Sequence, residues 1–270
     1  MNDDILFDAL GPKAKARLRT VSVLCGLVLL GLLTLVLVRL GASGQLDPAR
    51  WAILVDGAML RFLVQGLVMT LLVGLVSTVL SVAAGVLLAL GRLSRKRWLS
   101  WPCATVIEFF RAMPLLLILF FFMFGLPLLG VRVPIFWQLV LAIVAHAGAI
   151  FAEIVRAGIL AVGRGQSEAG HAIGLRHWET MAFVVLPQAA RALAPALISQ
   201  TVRVIKESSL GYVVGIAELL NNGKVLGEFS GDFIQAYVGA GLLYIVVNIA
   251  LSRVAERLAN RKKTLVREPS

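Results

Sequence analysis

Six apolar segments, each long enough to cross a lipid bilayer, limit what this chain can fold into more than any other feature of its sequence. Their approximate bounds are 21–40, 62–90, 104–129, 134–160, 191–216 and 233–254. A helix rises about 1.5 Å per residue, so about 20 apolar residues cross the hydrocarbon core. Within lipid, a helix satisfies its backbone hydrogen bonds inside one segment. The sequence therefore predicts an all-α, polytopic membrane helix bundle with about six transmembrane helices.

The distribution of basic residues predicts how these segments are oriented. The formal net charge is +11, although only 15% of the residues are charged and 59% are hydrophobic. With six crossings, eighteen lysines and arginines fall on the side that holds both termini, and five fall on the opposite side. Cytoplasmic loops carry the excess of such residues in membrane proteins. We therefore expect both termini in the cytoplasm, and we attribute the positive charge to membrane orientation and not to nucleic-acid binding.

The first apolar segment has two interpretations. It follows four basic residues and measures about 20 residues, which favours a membrane helix that is retained. The alternative is a cleaved signal peptide, whose apolar region is usually only about 7–15 residues long. We expect the retained helix.

Ionisable side chains inside the apolar segments are costly in lipid and face the interior of a bundle or an aqueous path. Glu108 and Arg111 are three residues apart, as are Glu153 and Arg156, and this spacing places each pair on one helix face. We predict two structural ion pairs at these positions.

A polar stripe in the fifth segment is the candidate contact with a solute. Its members are Gln200, Arg203, Lys206, Glu207 and Ser208. The stripe either lines a cavity that a solute occupies, or it compensates its own charges inside the bundle. Arg203 would suit a solute that carries a carboxylate, because a guanidinium binds a carboxylate through two parallel hydrogen bonds.

Motifs of catalysis do not occur in the sequence. It contains no P-loop, no His-Glu-x-x-His site and no nucleophile elbow, and its three histidines lack metal-site spacing. We therefore expect no enzyme activity, no metal and no bound cofactor in this chain. Uphill movement of a solute would draw its energy from an ion gradient or from another subunit.

The interruption between the fourth and fifth segments reads GRGQSEAGHAIGLRHWETMAFVVLP over residues 163–187. It is too polar to cross a membrane but rich in helix formers, so we predict a short amphipathic helix. Such a helix either fills a groove on a partner or lies on the membrane surface.

This interruption resembles the EAA motif in the permease subunits of bacterial ABC importers. The matching residues are Glu168, Ala169, Gly174, Leu186 and Pro187, while Gly170 and Val184 replace an alanine and an isoleucine. The resemblance implies that the segment at about 161–190 couples the permease to an ATPase through Glu168, Ala169, Gly170, Gly174, Leu186 and Pro187. Glycine lowers helix propensity by about 1 kcal/mol relative to alanine, which predicts a looser coupling helix here.

The surrounding sequence is similar to the polar amino acid permeases of that family. The similarity includes the segment that begins Glu108-Phe-Phe-Arg111 and the segment Lys206-Glu207-Ser208-Ser209-Leu210. It implies the type I ABC importer permease fold, with one extra N-terminal helix ahead of a five-helix core. The corresponding division is a cytoplasmic N-terminus, extra helix and periplasmic loop at 1–60, a transmembrane domain at 61–258, and a basic cytoplasmic tail at 259–270.

The resemblance also implies partners and a location. A cytoplasmic ABC ATPase dimer would bind ATP and Mg, a periplasmic solute-binding protein would deliver the amino acid, and a second permease, identical or related, would complete the pathway in the bacterial inner membrane. Glutamate or aspartate is the substrate that Arg203 and Lys206 favour. The alternative is a gradient-driven secondary transporter, which would use the same buried charges.

Overall fold

The structure is a computed structural model that describes residues 11–264, except for the side chains of residues 12 and 254–264. It is helical throughout, with no strand among the described residues. The helices are α1 Pro12–Ala42, α2 Pro48–Trp51, α3 Gly57–Arg92, α4 Arg97–Ala112, α5 Leu115–Leu128, α6 Ile135–Ala161, α7 Arg164–Ala172, α8 His177–Tyr212, α9 Leu219–Ser230 and α10 Phe233–Thr264. The last six residues of the predicted basic tail and the first ten of the predicted cytoplasmic N-terminus lie outside this range.

Five of these helices are long and apolar enough to cross a membrane, namely α1, α3, α6, α8 and α10. The pair α4 and α5 adds a sixth crossing if the two are counted as one broken span. The predicted all-α bundle of about six membrane helices is confirmed on that count. The chain divides into two compact units between Val55 and Asp56.

The first unit contains α1 and the short α2. Leucines and valines cover every face of α1, and its apolar stretch has no buried residue within the unit. A helix that is apolar all round suits a lipid environment. After α1, the indole nitrogen of Trp51 donates to the carbonyl of Gln45 at 2.9 Å, which closes the turn between α1 and α2.

The second unit is organised around α6, the most buried of its spans. Small residues of α3 let that helix approach closely. A Cβ atom at Gly85 would lie 2.6 Å from the Cβ of Phe151 on α6, and one at Gly74 would lie 2.9 Å from Ile205 on α8. Close packing on small side chains is the usual way in which helices associate in lipid.

The third predicted span, 104–129, is not one straight helix. The chain bends by 105° between α4 and α5. Pro114 has no N–H to donate and forces the preceding residue out of helical geometry, and Met113 accordingly has φ −83° and ψ 136°. The sequence analysis predicted one uninterrupted span here, whereas the structure shows a break at Pro114.

The fifth predicted span, 191–216, begins earlier than expected. α8 starts at His177 and continues through Leu186 and Pro187, so these two residues lie inside a helix and not in a loop. A π-helical turn at Thr180–Val185 precedes the proline and accommodates its missing N–H.

α9 was not predicted at all. Its first turn is capped by Glu218, whose carboxylate accepts hydrogen bonds from the backbone N–H groups of Leu220 and Asn221. It ends at Gly231, which has the left-handed φ of +78°. Helix caps, Glu218 and Gly231, therefore define both ends of α9. The helix was missed because its apolar residues are too few to indicate a membrane span.

Candidate functional site

The amphipathic helix predicted in the polar interruption is α7. After Ala172 the chain turns back on itself, with the N–H of Gly174 donating to His171 at 3.0 Å and the N–H of Leu175 donating to Gly170 at 3.1 Å. These two hydrogen bonds form a Schellman motif, in which the residue just after the helix cap adopts the left-handed conformation. Gly174 has φ +86°, so its place in the motif follows from backbone conformation.

One face of α7 is exposed. Glu168, Ala169 and Ala172 on the helix and Ile173 just after it all lie on the surface, and the Ile173 side chain is 77% accessible. Within the described residues, nothing covers this combination of a carboxylate and apolar side chains. The face has the composition expected of a helix that inserts into a partner's groove.

The opposite face of α7 is fixed to the start of α8. Gly170 is buried, and a Cβ atom in its place would lie 2.7 Å from the Cγ2 of Thr180, which is itself 1% exposed. The Nδ1 of His171 lies 3.2 Å from the Thr180 hydroxyl, and the rings of His171 and His177 stack at 6.0 Å. The low helix propensity of Gly170 is therefore offset by its close packing on Thr180, which leaves no room for the alanine that the EAA motif has at this position.

A second contact joins the same two helices farther along. The side-chain amide of Gln188 donates to that of Gln166 at 3.0 Å. Leu186 is half-buried and Pro187 is exposed, both on α8 and just before Gln188. The predicted coupling residues thus fall into two groups, with Glu168, Ala169, Gly170 and Gly174 at α7 and the other two at the base of α8.

The two predicted ion pairs are parts of one network. Arg92 of α3 contacts Glu108 of α4 at 3.0 Å and Glu153 of α6 at 3.0 Å. Arg111 lies 3.7 Å from Glu108 and 4.0 Å from Glu153, and Arg156 donates its Nε to Glu153 at 3.1 Å. Glu153 is the centre, since three arginines converge on it.

The sequence analysis missed the role of Arg92 because its position after an apolar segment is typical of an orientation signal. Only the tertiary structure shows that this arginine ties α3 to α4 and α6. The paired spacing of Glu108 with Arg111 and of Glu153 with Arg156 correctly identified the other members of the network.

The polar stripe of α8 is partly self-compensating. The Nε of Arg203 donates to Glu207 at 3.0 Å, one helical turn away. Arg203 remains 57% exposed at its side chain and Lys206 is also exposed, whereas Glu207 is only 15% exposed. The Arg203–Glu207 pair agrees with internal charge compensation, and the exposure of Arg203 and Lys206 agrees with contact with a solute. Both interpretations of the stripe therefore remain open.

Two buried polar atoms of this stripe have no hydrogen-bond partner among the described residues. They are the Nε2 of Gln200 and the Oε2 of Glu207. Ser208 differs, because it is fully buried and its hydroxyl donates to the carbonyl of Ile205 at 2.6 Å. Gln200 and Glu207 thus retain hydrogen-bonding capacity beside the exposed cations, while the hydroxyl of Ser208 is engaged within its own helix.

A buried polar link between α3 and α9 was also missed. Glu218 is completely buried, and its carboxylate lies 3.4 Å from the hydroxyl of Thr70. That hydroxyl in turn accepts from the N–H of Leu219 at 3.1 Å. The sequence feature that could have revealed this link is Glu218 itself, a single carboxylate directly before Leu219-Leu220 at the N-cap position of α9.

No cluster of metal-binding side chains occurs among the described residues. Together these elements comprise an exposed helix, α7, its packing and hydrogen-bond contacts with the base of α8, and a polar stripe farther along α8.

Comparison with known proteins identifies a family and several similar permeases. Residues 81–264 match the model of the family described as binding-protein-dependent transport system inner membrane component. The probable glutamine ABC transporter permease protein GlnP of Bacillus subtilis is 35% identical over 206 residues, which cover 75% of this chain and 94% of that protein. The glutamate/aspartate import permease protein GltK of Escherichia coli O157:H7 is 33% identical over 210 residues, with coverage of 75% and 94%.

A solved crystal structure agrees with these relatives. An amino acid ABC transporter with histidines superposes with a TM-score of 0.70 at 30% identity, covering 74% of this chain and 94% of that chain. This chain belongs to the family of binding-protein-dependent transport system inner membrane components, and the relatives it resembles there are permeases of amino-acid ABC importers.

Proposed function

We propose that this chain is the transmembrane permease subunit of an ATP-driven importer of polar amino acids, with glutamate and aspartate as its substrates. A separate ABC ATPase dimer hydrolyses ATP with Mg, and a periplasmic solute-binding protein delivers the amino acid. A second permease, a copy of this chain or a related one, completes the pathway in the bacterial inner membrane. The observation that carries the proposal is α7, an exposed helix anchored to the base of a membrane helix.

The coupling follows from the continuity of α8. ATP-driven closure of the ATPase dimer displaces α7, and the contacts Gly170–Thr180 and Gln166–Gln188 pass this displacement to α8. From Thr180 to Arg203 the helix extends about 35 Å at 1.5 Å per residue. A tilt at its base therefore moves the polar stripe, which alternates the access of the substrate from one side of the membrane to the other.

The charge of the stripe supports an acidic substrate. Arg203 and Lys206 are exposed, whereas the only acidic member, Glu207, is mostly buried. The hydrogen bond from Arg203 to Glu207 uses the Nε, which leaves the terminal amino groups of the guanidinium to donate to a carboxylate. The glutamate/aspartate permease among the relatives is consistent with this assignment.

Uptake into proteoliposomes that contain the permease, the ATPase and the binding protein tests the assignment. We expect uptake of labelled glutamate and aspartate to exceed that of glutamine and arginine. Arg203→Ala should reduce glutamate uptake by about tenfold to a hundredfold, the loss expected for a hydrogen bond to a charged group.

Lys224→Ala is the matched control, because Lys224 also pairs with a glutamate one turn away, Glu228, at 3.6 Å on α9. It should leave uptake unchanged. Glutamate uptake by Arg203→Ala at the rate of the unmodified protein would refute the role of Arg203, and preferential uptake of glutamine or arginine would refute the substrate class.

A further inference from the structure

A second feature of the fold is an open cavity between the α3–α4 turn and the base of α8. Its volume is about 640 Å³, which falls in the range of roughly 300–1,000 Å³ typical of small-molecule sites. Leu90, Leu99 and Met181 contribute to an apolar wall, and Arg95, Lys96 and Trp178 line it from the turn and the start of α8. We refer to it as the basic cavity.

Two exposed cations line the basic cavity. Arg95 and Lys96 are exposed, and neither forms a salt bridge with any side chain that the structure describes. Arg92, only three residues earlier, is paired with both Glu108 and Glu153. No acidic residue lines the cavity, so its electrostatic character is positive.

The position of the basic cavity along the membrane normal follows from the helix ends. The span α3 ends at Arg92 and α4 begins at Arg97, so the cavity lies where the chain leaves the hydrocarbon. Trp98 and Trp101 follow Lys96 closely in the chain and are 71% and 77% exposed, and Trp178, which lines the cavity, is 61% exposed. Exposed tryptophans concentrate at the level of the lipid headgroups.

We propose that the basic cavity binds an anionic phospholipid. Its phosphate interacts with Arg95 and Lys96, and an acyl chain lies along Leu90, Leu99 and Met181. Basic pockets between membrane helices on the cytoplasmic side are suited to such headgroups. Charge complementarity selects this occupant, because an apolar wall below two unpaired cations matches a molecule with an acyl chain below a negative phosphate.

The bound lipid would contact the segment that links α7 to α8. Met181 and Ala182 line the basic cavity and directly follow Thr180, the residue that packs on Gly170. The lipid would therefore lie against the base of α8, close to the contacts that this base makes with α7. This proposal depends on the chain spanning a membrane and not on the solute that it transports, so it can fail independently of the proposed function.

Native mass spectrometry of the full-length chain in detergent, titrated separately with phosphatidylglycerol and with phosphatidylcholine of the same acyl chains, tests the proposal. The unmodified protein should bind phosphatidylglycerol more tightly than phosphatidylcholine. The double variant Arg95→Gln/Lys96→Gln should weaken phosphatidylglycerol binding by about 30-fold, as expected for two basic residues near a headgroup, and should leave phosphatidylcholine binding unchanged.

Two further variants separate the acyl-chain site from general surface charge. Ala182→Trp fills the basic cavity from an exposed position and should weaken the binding of both lipids. Arg191→Gln/Arg253→Gln removes two exposed cations that do not line the cavity, and it should not change phosphatidylglycerol binding.

Three results would overturn the proposal. The first is equal binding of the two lipids to the unmodified protein, and the second is an equal loss of binding in the two charge-removing double variants. The third is efficient cross-linking of the variants Arg95→Cys and Lys96→Cys to the ATPase subunit in the assembled complex, which would assign the cavity to a protein partner.

Discussion

At the scale of single residues, Gly170 and Gly174 stand four positions apart and serve different physical purposes. Gly170 is needed because Thr180 occupies the space of a side chain, whereas Gly174 has open space around it and is needed for its left-handed φ. The EAA resemblance located both residues. The reason for Gly170 could not be found from the sequence, because it depends on a threonine ten residues away that meets it only after folding.

Gly170→Ala is expected to weaken the contact between α7 and α8. The added methyl group must displace Thr180, and overpacking of this kind costs about 1–3 kcal/mol. We expect a lower thermal midpoint for the purified permease and a lower ATPase rate per complex. Thr180→Ser removes the Cγ2 atom that the methyl group would meet, so the double variant Gly170→Ala/Thr180→Ser should recover part of both losses.

The control for this prediction is Gly165→Ala on the same helix. No atom lies within 4 Å of the Cβ position at Gly165, so the substitution should be neutral or stabilising. Equal losses in the two alanine variants would show that helix propensity, and not packing against Thr180, determines the effect.

Gly174→Arg is expected to abolish association with the ATPase while leaving membrane insertion intact. Arginine adds backbone strain at φ +86° and places a long side chain beside the exposed face of α7. Gly231→Arg is a matched control, because Gly231 has φ +78° and ends α9 in the same left-handed conformation.

Co-purification of the ATPase with each variant measures the effect. The control should retain the ATPase even if its stability falls. Normal co-purification with Gly174→Arg would exclude α7 as the docking helix.

At the scale of helices, the charge network holds α3, α4 and α6 together through one carboxylate. Glu153→Gln should leave three arginines without their common partner. Removing one partner of a fully buried ion pair costs about 3–5 kcal/mol, and the cost is smaller here because the network is only partly buried. We expect a clear decrease in the urea midpoint. Glu228→Gln removes the acidic partner of an exposed pair on α9 and should cost no more than about 1 kcal/mol.

A decrease in stability of the same size in both variants would show that the network contributes no more than a surface pair. The spacing rules predicted four of the five members of the network, because helix periodicity places i and i+3 together. They could not reveal Arg92, since its contacts depend on how three separate helices pack.

The capping of α9 gives a prediction for another element. Glu218→Ala removes the acceptor for two backbone N–H groups and leaves Thr70 without its carboxylate neighbour. Loss of a helix cap costs about 0.5–2 kcal/mol. Hydrogen exchange should therefore accelerate in residues 219–230 and stay unchanged in α6, and uniform protection in both segments would contradict the role of Glu218 as an anchor.

Helix boundaries show where hydropathy alone was insufficient. The apolar length of the segments correctly predicted about six candidate membrane helices, with α4 and α5 counted as one broken span, because that number depends mainly on composition. The break at Pro114 and the early start of α8 at His177 were not predicted, because both depend on local backbone geometry. Proline ended one helix but was accepted in the other, where a π-helical turn precedes it.

At the scale of the whole molecule, α8 connects the two sites that define the proposed function. Its base carries Thr180 and Gln188, which contact α7, and its far end carries the polar stripe. The sequence analysis placed the two sites in separate segments, a loop and a span. Because both lie on one helix, the proposed coupling needs no further element between α7 and the stripe.

The source of energy is the central claim, and uptake by the reconstituted complex tests it most directly. Proteoliposomes would contain the permease with its ATPase, and the binding protein and labelled glutamate would be added outside. We predict uptake that requires enclosed ATP and Mg and that persists when proton and sodium gradients are dissipated. Uptake that proceeds without ATP and depends on either gradient would contradict the account and identify a secondary transporter.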